Sequence, residues 1–335
     1  MKFWKASQWL FYLSFGLVML YLAFRGTDVA AIGKSIAQAD YRWVGLSLLV
    51  TFLCHLARAW RWNLLIEALG EGVRFRTVFL SMMSGYFVNT AVPRLGEISR
   101  CMLMQRESPQ PFAKLLGTVV TERIIDLVML FLVLMSALVF QFDLLAGFFS
   151  DQLFSPLMLK VKGILSKVPI WIYAGAAIAL AFGIYYRLKA NEKGKEEKIC
   201  KLEELAFQLE EGLLSALRLK RSVLFILLTL SIWVMYFFMT YLCFFSIPAT
   251  SGLSVGAGLA LVGIGSLGRS VPVQAGGMGA YHWILAQGLL LYGIAETDGL
   301  ALATIIHATQ TLFYLVTGGV CLALISFFYP KKSGS

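Results

Sequence analysis

Apolar residues run along this chain in stretches of about 18 or more, the length an α-helix needs to cross a bilayer core. Short polar segments separate them. The pattern predicts full crossings near residues 7–24, 43–60, 116–140, 169–186, 222–246 and 298–327. Two further apolar stretches, 77–93 and 255–292, are broken. The first carries Pro93, Arg94 and Gly96; the second carries Arg269, Pro272, Gly276, Gly277 and Gly279. Lipid satisfies no N–H or C=O group, so irregular backbone at membrane depth must be buried in protein or line a wet cavity. A matched pair of interruptions, one per half, points to a transporter's binding site. The expected class is therefore all-α: a polytopic helical membrane protein with about six full spans and two broken, re-entrant segments.

Each half then holds three crossings and one broken stretch. Three is odd, so the second half starts on the opposite side from the first, which is the layout of an inverted repeat. A single transmembrane domain over 1–335 is expected, with halves 1–168 and 169–335. Between them, 187–221 is rich in Lys and Glu, with Ile199, Leu202, Leu205, Leu209, Leu213 and Leu217 at helical spacing. That pattern predicts an amphipathic linker helix on the cytoplasmic surface, packed on its own protein.

Composition agrees with this class: 59% of the residues are apolar and 14% charged. The net charge of +10 reads as topogenic Lys and Arg, not as a nucleic-acid surface. With the N-terminus inside and both broken stretches re-entrant, the inner segments hold 21 of the 29 Lys and Arg residues and the outer segments 6. Both termini are accordingly placed in the cytoplasm, in a cell (inner) membrane. The five cysteines are scattered and form no CxxC pair, and the three histidines are far apart. No metal or cofactor is called for. The first apolar run is longer than the core of a usual signal peptide and is read as an uncleaved helix.

Candidate chemistry gathers at the breaks. Arg94, Glu97 and Arg100 follow Pro93 at i, i+3 and i+6, and share a face if helix resumes there. Glu122, Arg123 and Asp126 open an apolar span. Ionisable residues at such depth are costly and should face the bundle interior or water, with the arginines of the first break as partners. Arg269 is the only basic residue between Arg221 and Lys331. It serves either as a helix C-terminal cation or as a forked donor to phosphate. Gly276, Gly277 and Gly279 permit positive φ and close backbone approach. Asn89, Gln274, His282, His307 and Gln310 are polar positions in apolar spans, where interhelical hydrogen bonds are the common role. Among the histidines, His282 stands nearest the second break.

These residues resemble the transmembrane domain of the lysylphosphatidylglycerol synthases, a flippase-like membrane family. The resemblance rests on Arg58-x-x-Arg61-Trp62, on Asn89-x3-Pro93-Arg94-x-Gly96-Glu97-x2-Arg100, on Glu122-Arg123-x2-Asp126, and on Pro272-x3-Gly276-Gly277-x-Gly279. It covers roughly residues 10 to 325. Two positions depart from it: Ala275 stands where the family commonly has a second proline, and His282 where it commonly has glutamate. A role for that glutamate is not carried over. The chain ends at Ser335 without the synthases' soluble domain, so aminoacyl-lipid synthesis is not expected. The resemblance implies movement of a phospholipid-like or polyprenyl-phosphate-like lipid between leaflets.

Three functions are compatible with these residues. The first is a lipid flippase whose arginines meet an anionic headgroup while the tails stay in lipid. The second is an intramembrane enzyme or accessory subunit of envelope glycolipid synthesis, for which only Glu97, Glu122, Asp126 and His282 offer acid–base chemistry. The third is a small-solute or ion transporter. The expected partner is a membrane lipid with an anionic headgroup, with no nucleic acid. The oligomeric state stays open, a homo-oligomer included.

Overall fold

A computed structural model describes residues 18, 20, 21, 23–70, 72–142, 204, 207–270 and 277–328. The chain divides into two compact units, one formed by Met1–Phe140 with Gln208–Ser335 and the other by Gln141–Phe207. The nine described α-helices belong to the first unit. The expected crossing at 169–186, most of that at 7–24, and most of the 187–221 linker lie outside the described residues.

These helices are α1 Val29–Ala37, α2 Tyr41–Glu67, α3 Phe75–Ala91, α4 Leu95–Met104, α5 Phe112–Phe140, α6 Ser222–Phe244, α7 Val255–Ser270, α8 Ala280–Leu290 and α9 Glu296–Phe328. Of these, α2, α5, α6 and α9 are long and apolar enough to cross a membrane. They coincide with four of the predicted crossings. At 17 and 16 residues, α3 and α7 reach about 25 Å, short of a bilayer core of about 30 Å. Each is followed by a second short helix, as the broken stretches predict.

Contacts along the helices fix their directions. Between α2 and α6, Trp43 meets Phe245, Ser47 Oγ donates to Met239 O at 2.7 Å, and Leu65 clusters with Phe225, so the two run antiparallel. Between α3 and α9, Arg76 lies over the Phe328 ring and Tyr86 stacks on Tyr314, again antiparallel. Arg74 pairs with Glu107, and Gln110 Nε2 donates to Leu69 O. The α3–α4 hairpin therefore starts and ends at the bundle end that holds the C-terminus of α2. The α7–α8 hairpin starts and ends at the other end, where Ile32, Ala39, Ile247, Leu289 and Leu300 form one apolar cluster.

Both hairpins close on small residues. A Cβ on Gly85 would sit 2.8 Å from Gly96 O, and one on Gly96 would collide with Gly85 O. A Cβ on Gly268 would meet Tyr281 Cα at 3.0 Å. Small residues let helix backbones approach this closely, as in membrane helix packing generally. The same device docks residues 208–213 and the 3-10 turn Leu214–Arg218 on α5. There Gly117 and Gly212 touch, Thr121 Oγ1 donates to Leu213 O at 3.0 Å, and Lys114 Nζ lies 2.5 Å from Glu211. The hydrogen bond from Lys114 holds the Glu211 carboxyl below its usual range. Residues 208–218 thus pack on α5.

Gly96→Leu is expected to destabilise the protein by about 1–3 kcal/mol or more, because the added side chain overpacks a backbone contact. Gly252→Ala, where a Cβ meets nothing within 4 Å, serves as the control. Thermal unfolding in detergent checks the pair; an unchanged melting temperature for Gly96→Leu would contradict the tight hairpin.

Candidate functional site

The first hairpin turns at Val92, Pro93 and Arg94. Proline brings no N–H to satisfy at the turn. Arg94 takes φ +65°, the sole non-glycine in the left-handed region among the described residues. Such a conformation is disfavoured for a residue with a Cβ and persists where its surroundings impose it. Asn89 supplies much of that constraint. Its Oδ1 accepts from Gly96 N–H at 2.6 Å and its Nδ2 donates to Glu97 Oε2 at 3.4 Å. Arg94 occupies the N-cap of α4 but makes no capping bond, so Asn89 satisfies the helix start in its place.

The second hairpin leaves α7 just after Arg269, which sits in that helix's last turn. Residues 271–276 lie outside the described residues, and with them the expected site positions Gln274 and Gly276. The chain re-enters at Gly277 and Gly279, with φ +87° and +85°. A side chain at Gly277 would meet Gly268 O at 2.6 Å. His282 caps α8, its Nδ1 accepting from Gly279 N–H at 3.3 Å. The His282 ring lies 4.8 Å from that of His307.

The turn of the first hairpin and the last turn of α7 meet at one cavity of about 480 Å³. Arg58 of α2 lines it, with Asn89, Pro93, Arg94 and Glu97 of the first hairpin and Arg123 and Asp126 of α5. Tyr236 of α6, Arg269 and Tyr281 of the second hairpin, and His307 and Gln310 of α9 complete the polar wall. Arg94, Arg123 and Arg269 thus line one cavity. Arg100, Glu122, His282, Gly277 and Gly279 do not line this cavity. Arg100 turns inward, to Glu122.

Behind the cavity lies a buried ion cluster. Glu122, with a fully buried side chain, sits 2.6 Å from Arg100 Nη2 and 3.6 Å from Arg61 Nη2. Arg61 also reaches Asp126 at 2.7 Å, while Arg58 and Arg123 lie 3.9 and 3.8 Å from it. The Arg100 guanidinium covers the Trp62 ring at 4.4 Å, and Trp62 Nε1 donates to Thr118 Oγ1. These acids hold arginines, but not only those of the first break: Glu122 reaches Arg100 there, whereas Asp126 pairs with Arg58, Arg61 and Arg123. Arg94 and Arg269 have no carboxylate partner among the described residues. Arg269 lies over the Tyr281 ring at 4.5 Å, and Arg94 is exposed. Four arginines against two carboxylates line the cavity, an excess of two positive charges.

A family model described as "Lysylphosphatidylglycerol synthase TM region" matches residues 9–318. The chain belongs to this family. As a member it is similar to a UPF0104 membrane protein of Methanocaldococcus jannaschii, 28% identical over 123 residues, which is 36% of this chain. The match spans 36% of that relative's length. No solved structure matches the chain. The protein is a multi-pass membrane protein of this family.

Arg58 and Arg61 join the site without having been singled out for it by position. Their signal was present: two arginines one helical turn apart inside the 27-residue helix Tyr41–Glu67. Removing one member of a buried ion cluster strands the others, at a cost of about 3–5 kcal/mol. Glu122→Ala is therefore expected to lower thermal stability sharply, whereas Arg94→Ala leaves it nearly unchanged. Unfolding curves of the two purified variants check this; equal stability would contradict the division between support and cavity.

Proposed function

We propose that this protein binds an anionic membrane lipid by its headgroup and moves it between leaflets. The observation that carries the reading is the pair Arg94 and Arg269. Each stands at the tip of one hairpin, each lacks a carboxylate partner among the described residues, and both line the same cavity. An uncompensated cation at membrane depth is costly. A phosphate oxygen offsets that cost, and the planar guanidinium fork matches phosphate geometry. Arg123 has a side chain 44% exposed, and apolar Leu127 on the cavity wall is 66% exposed. Polar and apolar surface meet there, which suits a headgroup inside with its tails in lipid.

The helical order supports an inverted repeat. The sequence α2, α3–α4 hairpin, α5 is repeated as α6, α7–α8 hairpin, α9, with similar lengths and with hairpins entering from opposite ends. Rocking of one half on the other around a fixed site is the usual route to alternating access in such folds. An acid–base enzyme is less well supported, because Glu122 and Asp126 are committed to arginines. We place the protein in the cytoplasmic membrane with both termini inside.

In proteoliposomes, fluorescent phosphatidylglycerol should change leaflets, while phosphatidylcholine should not. Arg94→Ala and Arg269→Ala should each slow transfer about tenfold or more, the scale of a lost hydrogen bond to a charged group. Transfer of both lipids at equal rates, or unaffected transfer in both variants, would contradict the proposal. For orientation, Leu217→Cys, at a position 83% exposed, should react with impermeant maleimide only from the inner face. Labelling of intact cells from outside would overturn the topology.

A further inference from the structure

One wall of the cavity holds buried hydrogen-bond donors that no acceptor meets among the described residues. Trp233 Nε1, Tyr86 Oη and the Nε of Arg58 are all buried without a hydrogen-bond partner among the described residues, and all three residues line the cavity. Trp233 itself is 7% exposed. Arg58 touches Tyr86 directly and is linked to Trp233 through Tyr236. The Arg58 guanidinium lies 5.3 Å from the Tyr86 ring centroid, and its Nη1 donates to Tyr236 Oη at 2.6 Å. The Tyr236 ring lies 5.5 Å from that of Trp233. Three different helices, α2, α3 and α6, supply them.

The local carboxylate does not answer these donors. Asp126 is held by Arg61 at 2.7 Å, and it stands 3.9 Å from Arg58 Nη2. An indole N–H and a guanidinium N–H can only donate. A donor left buried without an acceptor keeps its full desolvation cost. A polar cavity of this size admits water. An acceptor-only group that displaces the water keeps every bond and adds charge to the pairing. The wall is therefore matched to an oxyanion, separately from the hairpin-tip arginines.

We infer that Arg58, Tyr86 and Trp233 form a second anion subsite, so that the cavity takes a headgroup carrying two phosphoryl groups. One phosphoryl group lies against Arg94 and Arg269, and the other against the donor wall. The cavity's excess of two positive charges suits a dianion. Its volume of about 480 Å³ is that of a site for a whole small molecule, larger than one oxyanion requires. The inference rests on the anionic-lipid reading and refines it: a two-phosphate headgroup binds more tightly than a one-phosphate headgroup such as that of phosphatidylglycerol. Both a lipid diphosphate and free diphosphate carry this chemistry.

Binding of farnesyl phosphate, farnesyl diphosphate and inorganic pyrophosphate to the purified protein in detergent separates the cases. Farnesyl diphosphate should bind at least tenfold more tightly than farnesyl phosphate. Trp233→Phe keeps the aromatic packing and deletes one donor, and Tyr86→Phe does the same at the second position. Each should reduce the diphosphate preference severalfold while farnesyl phosphate binds as before, and Arg269→Ala should weaken both lipids. Pyrophosphate that fails to displace farnesyl diphosphate identifies a lipid ligand; displacement at equal concentration assigns the two-phosphate site to the soluble anion. Equal affinity for the two farnesyl ligands, or equal weakening of both in Trp233→Phe and Tyr86→Phe, overturns the second subsite and leaves the anionic-lipid reading standing. Failure of both farnesyl ligands to bind the wild-type protein overturns both.

Discussion

Glu122 is a fully buried carboxylate held between Arg61 and Arg100, and the geometry of the first hairpin depends on that contact. An isolated charge in such a place is prohibitively costly, so both arginines must stay. Arg100 belongs to α4 and Arg61 to α2, while Glu122 belongs to α5. One carboxylate thus ties three helices together. It also fixes the rotation of α4, so that Arg94 and Glu97 face the cavity. Asp126, one turn further along α5, repeats the device at the cavity edge with Arg58, Arg61 and Arg123.

The two hairpins are built differently. The first is secured by ions, by Asn89 across its turn, and by the Gly85–Gly96 contact. The second is secured by aromatic and imidazole rings, with Arg269 over Tyr281, Tyr281 near His307, and His282 against His307 and Phe24. Rings pack without fixed charge partners. The contrast leaves Arg269 without an acid among the described residues and gives the cavity its positive excess.

Much of this could be read from the residues. Runs of apolar length located α2, α5, α6 and α9 because bilayer thickness sets helix length. Pro93 and Arg94, then Arg269 and Pro272, located the breaks because lipid tolerates no loose backbone. Glu122 and Asp126 were legible as inward-facing by cost alone. Other features depend on information that spacing does not contain. The spacing of Arg94, Glu97 and Arg100 suggests one shared face, yet Arg94 lies outside the regular helix at φ +65°, and Arg100 turns to Glu122. Arg58 and Arg61 counted as loop charges at the end of a crossing, whereas α2 runs on to Glu67 and carries them into the core. Trp233, Tyr236 and Tyr86 fit ordinary apolar spans in sequence. Only their meeting around Arg58 distinguishes them.

The central claim is that both hairpin tips contribute to one anion site. Native mass spectrometry of the gently purified protein addresses it most directly. The account predicts an anionic lipid retained by the wild-type chain and lost from both Arg94→Ala and Arg269→Ala while each variant stays folded. Retention of the same lipid by either folded variant, or retention of a neutral lipid by the wild type, would contradict a shared site.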